Sequence, residues 1–90
     1  MNQEKLVDVY IPALVALLTR AEEIAKRPLS ENEVLRIRDK ATKVSQPLSG
    51  MPAFLKQRGY HDIYAPEAWE EWKLYREGKL DLSIGEDKNT

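Results

Sequence analysis

The sequence predicts an all-α fold: a small bundle of two longer antiparallel helices, a short third helix and a C-terminal tryptophan-bearing helix. Three observations point that way. Apolar residues recur at three- and four-residue steps over much of the chain. Ser30 and Glu33 have the spacing of a capping box, with Leu29 and Val34 placed as its hydrophobic staple. There is no sustained period-two alternation and no Asn-Gly or Asp-Gly hairpin turn.

The first helix is read from Leu6, Tyr10, Ala13, Leu17, Ala21 and Ile24, which share one face. Pro12 interrupts it and leaves two readings. In one, Asp8 is the N-cap and Pro12 sits in the first turn. In the other, a helix from near Asn2 kinks at Pro12; the apolar stripe continues on both sides, which favours the kink. Lys26 and Arg27 suit the negative helix end, and Pro28 stops it.

The second helix is expected from Glu31 to about Val44, with Val34, Ile37, Ala41 and Val44 inward. Glu31 and Glu33 suit its positive end, Lys40 and Lys43 its negative end. Residues 46–52 read as a loop punctuated by Pro47, Gly50 and Pro52. A short helix from Pro52 to Arg58 follows, with Gly59 just past its end. Pro66 opens the last helix, glutamates crowd its start, Lys73, Arg76 and Lys79 crowd its end, and Gly78 closes it. Residues 1–84 are thus read as a single helical domain and residues 85–90 as a frayed tail. The expected core is Leu14, Leu17, Leu18, Ala21, Ile24, Val34, Ile37, Ala41, Phe54, Leu55 and Trp72.

Composition bounds the chemistry. Ninety residues make one small domain with a thin core. A net charge of −1 supplies no positive field to draw in nucleic acid or an anionic membrane. Cysteine is absent, which excludes disulfides and thiolate metal sites. The apolar run Ile11–Leu18 is too short to span a bilayer, and no targeting segment is evident, so a soluble cytoplasmic protein is expected.

Chemistry-bearing groups are few. His61-Asp62 is the first place to look for acid–base work, and an enzyme centred on His61 is the third-ranked reading. No nucleophile is placed beside the pair, and the plainer account is that Asp62 caps a turn while His61 is a surface or packed residue. Glu67, Glu70 and Glu71 are explained by the helix dipole, and no metal or cofactor is expected. Arg36, Lys40 and Lys43 would form a basic face on the second helix, the alternative nucleic-acid face. Arg38 reads either as a half-buried side chain covering apolar surface with its stem or as an interface anchor.

Two features favour protein contact. Five of the seven aromatics, Tyr60, Tyr64, Trp69, Trp72 and Tyr75, fall in one short segment. The run Ile11–Leu18 is apolar on nearly every side, so its helix is either central or meets another chain. The leading expectation is a non-catalytic protein-interaction module that binds another protein, itself as a homodimer, or both. Its contact residues would be Tyr10, Leu14, Val15, Leu18, Tyr64 and Trp69, with no membrane and no small-molecule substrate identified.

Overall fold

Leu6–Tyr10, and Lys43 and Val44 at the expected end of the second helix, lie in strands. In the computed structural model, which describes residues 4–84, the elements run β1 (Leu6–Tyr10), α1 (Leu14–Ala25), α2 (Glu31–Lys40), β2 (Lys43–Pro47), α3 (Met51–Arg58) and α4 (Ala68–Arg76). Single 3₁₀ turns at Leu48–Gly50 and Ala65–Glu67 lead into α3 and α4. The chain is mostly helical, but the all-α assignment is corrected by a two-stranded antiparallel sheet. The expected start near Asn2 and the expected tail at 85–90 lie outside the described residues.

The physical reason lies in residues 6–10 and 43–47. Val7 and Val9 alternate with Asp8, a half-buried pattern of β-branched residues that suits a pleated surface. Pro12 has no N–H to continue a helix, and Ile11–Pro12 is cis. Neither Pro12 reading survives, because α1 begins after the proline, at Leu14, with Ala13 as its N-cap residue. In the second helix, Ala41 adopts an extended conformation (φ −71°, ψ 150°) and ends it at Lys40, four residues short of Val44. The β-branched Thr42 and Val44 then favour extension, and β2 pairs with β1 in the register Leu6↔Pro47, Asp8↔Ser45, Tyr10↔Lys43.

The expected corner between α1 and α2 forms. Lys26 takes a left-handed conformation (φ 60°) and its N–H closes on the Glu22 carbonyl. Ser30 Oγ accepts from the Glu33 N–H at 3.3 Å, and Glu33 Oε1 accepts from the Ser30 N–H at 2.8 Å. Leu29 and Val34 are both buried, as a staple requires. Arg27 adds two bonds to the Glu33 carboxylate, at 2.9 and 2.7 Å. Donation from Arg27 and from the Ser30 N–H holds that carboxyl at about 2, well below its ordinary 4.5.

The buried cluster is Ala13, Leu14, Val15, Leu18, Leu29, Val34, Ile63, Ala68 and Trp72, to which α1 contributes Leu14, Val15 and Leu18. Of the expected core, Leu14, Leu18, Val34 and Trp72 are buried, while Ile24 is 66% exposed. A second clasp joins α1 to α4. Glu22 Oε2 accepts from the Leu29 N–H at 2.9 Å and from Arg76 Nη1 at 3.1 Å. The segment after α4 folds back so that the His61 N–H reaches the Leu82 carbonyl at 2.7 Å, beside a Tyr60↔Ser83 bridge.

Candidate functional site

Nothing near Ala13 in sequence caps α1. Asp62, from the loop before α4, does so from 48 residues away. Its carboxylate accepts from the Leu14 N–H at 2.7 Å and the Val15 N–H at 2.8 Å, two of the first donors that a helix leaves unpaired. It also accepts from its neighbour, the Ile63 N–H, at 2.8 Å. A carboxylate at that helix end is favoured by the dipole as well. Arg58, one helical turn before Asp62 in sequence, lies 3.8 Å from the same carboxylate. Its guanidinium stacks 4.5 Å from the Phe54 ring centroid and donates to the Tyr10 carbonyl. Arg58 and Asp62 therefore tie the end of β1, the start of α1 and the end of α3 together.

This tie forms one end of a groove of about 680 Å³. One wall is β1 at Asp8, Val9 and Tyr10; another is α3 at Met51, Phe54 and Leu55; the third is the loop at Ile63, Tyr64 and Pro66. Arg38 from α2 holds that loop by donating to the Ala65 carbonyl at 3.0 Å, and it also contacts Asp39 at 3.0 Å. Arg38 is thus a paired, half-buried side chain covering the loop. The Tyr64 backbone N–H is fixed by Glu71 Oε1 at 2.8 Å, while the Tyr64 side chain is 59% exposed at the groove rim.

Hydrogen-bond direction along β1 gives the groove its character. The Ile11 N–H bonds the Thr42 carbonyl and the Leu48 N–H bonds the Lys5 carbonyl, at either end of the ladder. In an antiparallel ladder, bonding alternates along the strand. Val7 and Val9 therefore face β2 with their backbone groups, and Leu6, Asp8 and Tyr10 turn theirs outward. Arg58 satisfies the outward Tyr10 carbonyl. Among the described residues, the outward groups of Leu6 and Asp8 and the Tyr10 N–H have no protein partner. The opposite edge, on β2, is blunted by Pro47, which has no N–H, and by the charged Lys43.

The expected contact residues separate into two sets. Leu14, Val15 and Leu18 are buried, 0%, 6% and 0% exposed, and are corrected from contact surface to core. The reason is that these three side chains are covered within the chain, in one cluster with Leu29, Val34, Ile63 and Trp72, while Ile11, Pro12 and Ala16 of the same run stay exposed. Tyr10 and Tyr64, 54 positions apart in sequence terms by their numbers, are brought together in the groove. Trp69 lies on another side, half-buried, with Lys73 Nζ 5.1 Å and the Arg76 guanidinium 6.0 Å from its ring centroid.

The alternative basic face does not assemble as one helix face. Arg36 and Lys40 are exposed on α2, but Lys43 is on β2, 5.9 Å from the Tyr10 ring centroid. His61 is exposed at the groove edge, and its backbone rather than its ring makes the structural contact. Among the described residues no group of three or more His, Asp or Glu converges as a metal site, and no helix is long and apolar enough to cross a membrane. Sequence reasoning missed Met51 and Arg58 as groove residues and placed Phe54 and Leu55 in the core. The only local signal was the four-residue spacing of Arg58 and Asp62. Comparison with protein-family models, curated proteins and solved structures finds no match.

Proposed function

We propose that this chain is a non-catalytic protein-interaction module that uses the groove between β1, α3 and the loop before α4. The observation that carries the reading is the meeting of Tyr10, Phe54 and Tyr64 with Met51 and Leu55 around one open groove. Aromatic residues, methionine and arginine are enriched where proteins bind one another. The groove also has a stiff frame, because Arg58, Asp62 and Arg38 pin its walls from three elements. A groove whose walls do not have to be ordered on binding loses less entropy to association.

The test is selection of random peptides displayed on phage against the immobilised protein, followed by anisotropy titration of the recovered peptides. Expected are peptides sharing apolar anchors, with Tyr64→Ala weakening them by roughly tenfold or more, as a hot-spot residue does. Recovery of no binder, or binders indifferent to Tyr64→Ala and Phe54→Ala, overturns the proposal. Tyr64 is exposed, so its truncation leaves the fold intact and the comparison clean.

A further inference from the structure

Resting on that reading, we infer that the groove takes its partner as an added β-strand: an extended segment of another protein pairs along the outer edge of β1, with a basic side chain opposite Asp8. Three independent features converge on this occupant. Leu6 and Asp8 present outward N–H and carbonyl groups and Tyr10 an outward N–H, at alternate positions that an extended backbone matches. The equivalent edge of β2 is blocked by Pro47, so strand addition has one side to use. The groove takes in Asp8, Val9 and Tyr10 of β1 together with Phe54, Ile63 and Tyr64, which offers places for side chains of a strand paired there.

Charge selects the partner. Asp8 is exposed and, among the described residues, its carboxylate accepts only from Ser45 Oγ, at 2.9 Å, across the β1–β2 pair. A lysine or arginine opposite Asp8 on the added strand makes a favourable cross-strand pair. Leu6, 61% exposed on the same face, favours an apolar residue two positions along. The same argument disfavours a second copy of this chain. Two-fold pairing of β1 about Asp8 sets two carboxylates directly opposite. Pairing about Val9 requires the Tyr10 carbonyl, which Arg58 already occupies. Pairing about Val7 engages only Leu6 and Asp8.

The experiment uses the tightest displayed peptide as probe. Amide hydrogen exchange is followed residue by residue in the whole protein, free and bound. The amides of Leu6, Asp8 and Tyr10 are expected to slow by roughly tenfold or more, while those of Val7 and Val9, already in the ladder, change little. N-methylation of the peptide at alternate residues should abolish binding in one phase of the alternation and spare it in the other. Asp8→Lys should weaken the probe by roughly tenfold, and a lysine-to-glutamate change in the probe should restore it. Binding that depends on Tyr64 but leaves the β1 amides unprotected overturns strand addition and leaves the interaction module standing. Slowed exchange of those amides in concentrated pure protein, with a doubled mass in light scattering, assigns the edge to a second copy and overturns the chosen partner.

Discussion

Removing the Asp62 carboxylate tests the frame of the groove most sharply. In Asp62→Ala, the N–H groups of Leu14, Val15 and Ile63 lose their acceptor together. Loss of an N-cap costs about 1 kcal/mol, up to roughly 2 where the cap is well placed. Bonds to a charged acceptor contribute roughly 1.5–3 kcal/mol each, though not additively. Arg58, whose side chain is only 11% exposed, also loses its anion, but at 3.8 Å that pairing is the smaller part. The sum is about 3 kcal/mol. A domain of ninety residues has a total stability of roughly 5–13 kcal/mol, so the loss is a large share. Each kcal/mol moves Tm by roughly 4–8 °C at this size, which gives a fall of about 12–24 °C. Thermal unfolding followed by far-UV circular dichroism measures it. Asp62→Asn keeps one acceptor and should lose about half as much. A fall of less than about 4 °C for Asp62→Ala would show that α1 does not depend on this distant cap.

Three further outcomes are expected. The Glu33 carboxyl titrates at about 2 in the folded chain against an ordinary 4.5, so the folded state favours its charged form; the stability it contributes is complete above pH 4.5 and is lost as pH falls towards 2. Denaturant titrations of wild type and Glu33→Gln should therefore differ at pH 6 and converge near pH 2, and a constant difference across that window would count against the charged Glu33 carboxylate, held by Arg27 and the Ser30 N–H, as its source. Glu22→Ala leaves the buried Leu29 N–H and Arg76 without their shared acceptor, and should cost about 2 kcal/mol in urea unfolding. Gly59 has open space around it but a φ of +94°, so Gly59→Ala should destabilise by about 1 kcal/mol through backbone strain alone, and a neutral result would disprove the left-handed close of α3.

The parts of this fold that were legible in the sequence are those whose cause is local. Ser30 and Glu33 find each other within three residues, so their spacing is enough to predict both bonds. Pro52 and Gly59 bracket α3 for the same reason: each acts on its own backbone dihedral. The sheet was hard to read because the local strand signals are short and compete with a helical spacing. Ala41 and Val44 continue the spacing of Val34 and Ile37, and pairing of Val44 with Val9, 35 positions away by number, adds to the β-branched preference of Thr42 and Val44. Asp62 shows the same limit at the site. Beside His61 in sequence, it invites an acid–base reading; in space its oxygens face the N–H groups of Leu14 and Val15. Three backbone N–H groups share this carboxylate, which places Asp62 in the frame of the fold as the cap of α1. That use of Asp62 fixes α1 directly after β1, where, among the described residues, the outward backbone groups of Leu6 and Asp8 have no protein partner.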